Sequence, residues 1–123
     1  MEIRITCDYF ELHADLKDTP TARAIYASLP IEATVQKWGG EVYFRIAVDM
    51  PLDETAQEEL EPGTLAYWPT GQAFCIFFGQ TPASKNSEPR AYSPVNIVGT
   101  IQGNINPLNQ LWDGDSIKIN KKQ

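Results

Sequence analysis

The stretch Ala66-Tyr67-Trp68-Pro69-Thr70-Gly71-Gln72-Ala73-Phe74-Cys75-Ile76-Phe77-Phe78-Gly79-Gln80-Thr81-Pro82-Ala83-Ser84 sets aromatics, prolines and glycines around one short apolar run. It reads as a strand over Thr64 to Trp68, a turn, a central strand over Ala73 to Phe78, and a sharp exit into a polar loop. The central strand alternates Phe74, Ile76 and Phe78 on one side with Ala73, Cys75 and Phe77 on the other. Apolar residues on both sides are the mark of a strand covered on both faces.

Working outward, Pro62-Gly63 is a turn, and the acidic segment Pro51 to Glu61 reads as an exposed connection. Upstream, Gly39-Gly40 is a two-residue hairpin signal between Ile31–Trp38 and Glu41–Val48. Direct pairing across it sets Val35 opposite Phe44 and Ala33 opposite Ile46. The second face then carries Thr34, Gln36, Trp38, Glu41, Tyr43 and Arg45. Glu2 to Cys7 alternates as a first strand, and Tyr9 to Leu16 as a second. Asp18-Thr19-Pro20 starts a helix, with a capping side chain followed by proline at the first helical position. Ala22, Ile25, Tyr26 and Leu29 recur at helical spacing until Pro30 ends it. Downstream, Gly79 to Ser93 is a long loop with two prolines, Pro94 to Ile101 a strand, Gln110 to Asp115 a connection with an Asp-Gly turn, and Ser116 to Asn120 the last strand. About eight short strands with regular turn signals predict a closed barrel or sandwich, the helix capping an open end.

The 123 residues, 42% hydrophobic and 21% charged, fit one soluble domain over 1–123 with a single core. A net charge of −6 argues against a nucleic-acid-backbone binder. The basic run Lys118-x-x-Lys121-Lys122 reads as a solvated tail. No apolar run approaches the ~18 residues of a membrane span, and the N-terminus reads as a strand rather than a signal peptide, so the expectation is a cytoplasmic protein. Cys7 and Cys75 are then free thiols, and with His13 the single histidine no metal or cofactor site is expected.

Several motifs in one order carry a family resemblance: Ala22-Arg23-Ala24-Ile25 and Leu29-Pro30; Trp38-Gly39-Gly40-Glu41-Val42-Tyr43-Phe44; Gly63-x-x-Ala66-Tyr67-Trp68-Pro69-x-Gly71; Cys75-Ile76-Phe77-Phe78-Gly79-x-Thr81-Pro82-Ala83-Ser84; and Glu88-Pro89-Arg90-Ala91-x-Ser93-Pro94-Val95-Asn96. The chain resembles, almost end to end, small bacterial and archaeal proteins with a cyclophilin-like barrel and largely uncharacterised function. The resemblance implies a mainly β fold, a closed eight-stranded cyclophilin-like β-barrel with one short capping helix. It implies no reaction, because a fold does not fix a function. True cyclophilins, more distant relatives, isomerise X-Pro bonds on the outer barrel face with an arginine, a hydrophobic pocket and flanking polar groups. Tyr43-Phe44-Arg45-Ile46 is similar to their arginine-bearing strand. The chain departs where Cys75 matches an outward phenylalanine, where Arg90 and Val95 match a tryptophan and a histidine, and where Val48 to Glu61 lacks their glutamine segment.

Arg45 is therefore either a donor to a prolyl nitrogen or a surface arginine paired with Glu41 or a neighbour across the sheet. Trp38, Tyr43 and Trp68 share the outer face and form either a binding surface or, under the Gly79–Ser93 loop, a second small core; a covered groove that still admits a ligand combines the two. Arg90 is either an anion clamp, with Thr81, Ser84 and Ser93 adding hydroxyls, or an internal ion pair that fixes its loop. Cys75 lacks a neighbouring base and reads as a structural thiol. Asn96 reads as a partner of loop backbone. The expected function is binding of a small molecule or short proline-containing peptide in an outer-face groove at Trp38, Tyr43, Arg45, Trp68, Cys75, Phe77, Thr81 and Arg90, without strong catalysis. The alternatives are a weak peptidyl-prolyl isomerase relying on Arg45 and an assembly module whose aromatics meet a second subunit.

Overall fold

Alternation, caps and turns place ten strands and one α-helix along the chain, described for residues 1–122 in a computed structural model. Gln123, the last residue of the expected domain 1–123, lies outside the described residues. The strands are β1 (Glu2–Cys7), β2 (Glu11–Leu16), β3 (Ile31–Thr34), β4 (Gln36–Lys37), β5 (Glu41–Arg45), β6 (Gln57–Glu59), β7 (Thr64–Trp68), β8 (Ala73–Phe77), β9 (Arg90–Gln102) and β10 (Ser116–Lys121). A 3₁₀ turn, Asn106–Gln110, precedes β10.

The helix α1 (Pro20–Ala27) starts as its sequence directs: the Thr19 hydroxyl accepts from the Ala22 amide at 3.1 Å, and Pro20 needs no donor there. It stops at Ser28, whose amide closes the last turn, one residue short of the expected Leu29. Ala22 and Ile25 on its buried face join the main core.

The hydrogen-bonded order is β3-β10-β1-β2-β9-β7-β8-β5-β4, with β6 attached to the outer part of β9. The expected mainly β fold with one helix is present, but hydrogen bonds do not close the expected eight-stranded barrel: among the described residues they join nine strands in an open path, with β6 attached as a tenth. The reason lies in the segment expected as one strand from Ile31 to Trp38. It divides at Val35: Ile31–Thr34 pair with β10, whereas Gln36 and Lys37 pair with β5. Ala33 thus faces Ile117, and the proposed Ala33–Ile46 pair is not made. The hairpin register itself is as read, with Gln36 opposite Tyr43, and Trp38 and Glu41 exchange backbone bonds across Gly39-Gly40. The two edges of the sheet are consecutive in sequence, joined through a fully buried Val35.

Two expected connections carry more structure than their polarity suggests. Within Pro51–Glu61, Leu60 is buried and β6 pairs with β9. Asn96, fully buried on β9, accepts from the Asp53 amide at 2.9 Å and donates to the Pro51 carbonyl at 2.9 Å and to Thr21 Oγ1 at 3.2 Å. The loop expected over Gly79–Ser93 ends at Pro89, because β9 begins at Arg90. The basic C-terminal run also belongs to the fold: Lys118 pairs with Glu32, Lys122 with Glu2, and Lys121 lies over the Tyr26 ring.

One core fills the inner side of the sheet and includes Ile3, Ile5, Val42, Phe44, Leu65, Tyr67, Phe74, Ile76 and Ile119. A second covers the outer face of β7 and β8, built from Leu60, Ala66, Ala73, Cys75, Phe77, Ala91, Val95 and Ile97, with Tyr43 and Trp68 at its margin. The apolar residues on both sides of β8 therefore each meet a core.

Candidate functional site

At the edge of that second core the cover is incomplete. Trp38, Glu41, Tyr43, Trp68, Ala91, Tyr92 and Val95 surround a cavity of about 170 Å³. Three edge-to-face contacts link its rings: Tyr43 with Trp68 at 6.5 Å between centroids, Trp68 with Tyr92 at 6.2 Å, and Tyr92 with Trp38 at 6.2 Å.

The backbone holds each ring in place. Trp38 flanks the Gly39-Gly40 turn. Trp68 ends β7, where its indole Nε1 donates to Ser93 Oγ at 2.6 Å. Its ring lies over Gly71, where a Cβ would come within 2.4 Å of it. The Gly79–Pro89 loop is tied to the hairpin at Gly40, which donates to the Gln80 carbonyl at 2.7 Å and accepts from Phe78 and Gly79. The contact is so close that a Cβ at Gly40 would lie 2.2 Å from the Gly79 carbonyl carbon.

Glu41 is the charged group of this cavity. It is 7% exposed and makes no salt bridge among the described residues. Burial pushes its carboxyl up to about 7, a hydrogen bond with the Cys75 thiol opposing the rise. Burial, followed by the negative charge of Glu41, holds the Cys75 thiol well above its ordinary range, so Cys75 is a neutral structural thiol rather than a nucleophile. Tyr43 is also raised, by burial first and Glu41 second.

A second cavity, of about 430 Å³, adjoins the first behind the Tyr43–Trp68 pair, and Arg45 lines it with Thr34, Gln36 and Gly71. Arg45 is exposed and does not pair with Glu41. Its Nη2 reaches Gln72 Oε1 at 3.5 Å, and Gln72 is anchored through Nε2 to the Ile46 carbonyl at 3.1 Å.

Of the eight residues expected at the groove, Trp38, Tyr43 and Trp68 line the first cavity, and Arg45 lines the second with Tyr43 and Trp68. Cys75 and Phe77 lie in the second core and line neither. Arg90 is held by Glu58 at 2.6 Å and Glu59 at 3.4 Å, the internal-pair reading of that residue. Thr81 is buried; its hydroxyl donates to the Arg90 carbonyl and its amide donates to the Oγ of the loop's own Ser84, so both residues fasten the loop. Sequence reasoning missed Glu41 as the cavity's carboxyl and Tyr92 as a ring at its rim. The available signal for Glu41 was its place on the face shared with Trp38 and Tyr43, above a strand that is apolar on both sides.

No group of three or more His, Cys, Asp or Glu side chains among the described residues is placed to hold a metal. No helix among them is long and apolar enough to cross a membrane.

A family model described as cyclophilin-like matches residues 1–120. The solution structure of a hypothetical protein from Archaeoglobus fulgidus is similar, with a TM-score of 0.84 and 36% identity over 99% of this chain and 95% of that one. No curated protein matches.

Proposed function

Because the chain belongs to the cyclophilin-like family, a fold that fixes no activity, we propose a function from the groove itself: a binding domain for a small molecule or short peptide, without strong catalysis. The observation that carries this reading is the cavity of about 170 Å³ left between Trp38, Tyr43, Trp68 and Tyr92 at the edge of the second core. Concave, largely apolar space with one convergent polar group is the usual form of a ligand site.

A weak peptidyl-prolyl isomerase is the second reading. It is favoured by exposed Arg45, which lines the adjoining cavity beside the Gln72 amide. Against it, the position corresponding to a pocket phenylalanine is Cys75, sealed in the second core. Uncatalysed X-Pro exchange faces a barrier of about 20 kcal/mol, so acceleration is easily seen. Exchange NMR on a short X-Pro peptide, with the indole signals of Trp38 and Trp68 followed together, separates the two readings. The binding reading expects indole shifts without faster cis/trans exchange. Acceleration that disappears in Arg45→Ala makes the protein an isomerase.

A further inference from the structure

The cavity combines two features that an ordinary apolar pocket lacks: four aromatic rings around a small space, and a carboxyl in it with no basic partner. Aromatic faces attract cations through the ring quadrupole, the more strongly where water is excluded. Removing a carboxylate from water is unfavourable unless an opposite charge meets it. Among the described residues none supplies that charge: Lys37, the neighbouring cation on β4, is engaged by Trp112 and the Asn109 carbonyl. A volume of about 170 Å³ corresponds to five or six groups at ~30 Å³ each, enough for a compact head group.

We infer that this cavity takes a small free organic cation bearing a methylated or quaternary ammonium, with Trp38, Tyr43, Trp68 and Tyr92 around the head and the Glu41 carboxylate as counter-ion. The inference rests on the groove being a ligand site and names the ligand's chemistry. A free molecule fits better than a side chain on a folded partner, because a volume of about 170 Å³ holds little beyond a head group and the exposed Tyr92 ring stands at its rim. A primary ammonium would lose more hydration on entry than a methylated one, since the cavity offers it a single carboxylate.

The groups that face Glu41 set the pH response. Cys75 comes from β8, Tyr43 from β5 itself and Tyr92 from β9, while β7 contributes only the uncharged Trp68; Asp113 acts on Tyr43 from the side of β10. Cys75 and Tyr43 are both held above their ordinary values, so Glu41 ionises before either. A cation that binds the ionised form draws the Glu41 carboxyl back down and binds more tightly as pH rises through about 7.

The test is a titration of the full chain with choline and with its neutral isostere, in which carbon replaces nitrogen, read on the Trp38 and Trp68 indole signals. The expected result is choline affinity that rises about tenfold between about pH 6 and about pH 8, as the ionised fraction of Glu41 grows from roughly a tenth to nine tenths. The isostere should bind about tenfold or more weakly at the higher pH. Glu41→Gln, which removes a buried charge and keeps the shape, should lose the pH dependence and narrow the gap between the two probes to what the rings alone supply. Equal binding of the two probes to the wild type overturns the cation and leaves the groove standing. Binding of a trimethyl-lysine peptide but not choline overturns the free-molecule assignment. If neither probe nor peptide moves the indoles, the cation site is overturned outright, and the groove reading then depends on the X-Pro peptide alone.

Discussion

A carboxyl at 7% exposure with no cationic neighbour is destabilising. The folded state holds Glu41 at about 7 against an ordinary 4.5. The folded protein therefore binds its proton more tightly than the unfolded chain does. This contribution is fully present below 4.5 and is lost as pH rises through about 7. Above that point ionised Glu41 costs the fold about 3 kcal/mol. Glu41→Gln should accordingly be more stable than the wild type near pH 8 and close to it near pH 4, as read by urea melts at the two pH values; a constant difference would contradict the burial of this group. Tyr67 is the opposite case, a buried polar group fully paired: its hydroxyl donates to the Val48 carbonyl at 2.6 Å and accepts from the Met50 amide at 3.3 Å. Tyr67→Phe strands both backbone groups and should lose about 1–2 kcal/mol in the same melts. At this scale the sequence separated inner Tyr67 from outer Trp68 by alternation alone. It could not reveal that Arg45 turns to Gln72 and leaves Glu41 unpaired, because Gln72 sits in the next hairpin and its side-chain bonds are set by tertiary contact.

Among the elements, the hairpin and the Gly79–Pro89 loop act as one unit. Gly39 supplies the left-handed turn, with φ of +59°, and Gly40 supplies the close approach to Gly79. Gly40→Ala forces the two backbones apart. It should cost about 2–4 kcal/mol and lower Tm by roughly 10 °C, with the Trp38 indole becoming more exposed to a soluble quencher; an unchanged Tm would mean that the loop is not seated on the turn. The Gly-Gly pair was legible as a turn, yet its second use was not, since only the fold brings Gly79 across from it. The same limit explains the segment from Pro51 to Glu61. Its acidic composition looks like solvated loop, but Leu60, the Asp53 amide and the Thr55 hydroxyl are fixed by β9, through the outer core, Asn96 and the Ile97 amide. Helix α1 was readable almost to the residue because its cap, proline and apolar spacing are all local.

For the whole molecule, the open path of strands turns on Val35, where the chain leaves β10 for β5. Its amide donates to the Asp115 carbonyl at 2.9 Å and its side chain is fully buried. If this junction holds the two sheet edges together, the Val35 amide should exchange with solvent as slowly as the amides of β1, by hydrogen-exchange NMR. Fast exchange at Val35 would mean that the edges separate locally. Family and β architecture were both legible in the motif order. The division of Ile31–Trp38 was not, because alternation continues unbroken through Val35 and only the positions of β10 and β5 decide which half pairs where. The two-core arrangement follows from the apolar run Ala73 to Phe78, and the functional reading depends on that arrangement leaving an aromatic-lined gap with a carboxyl in it. The direct measurement is a carbon-detected NMR titration of the glutamate side-chain carboxyls, with Glu41→Gln used to assign the signal. An apparent pKa near 7 for Glu41, falling when choline is added, is the predicted result. A value near 4.5, indifferent to choline, would place Glu41 in water and contradict the buried carboxyl on which the account stands.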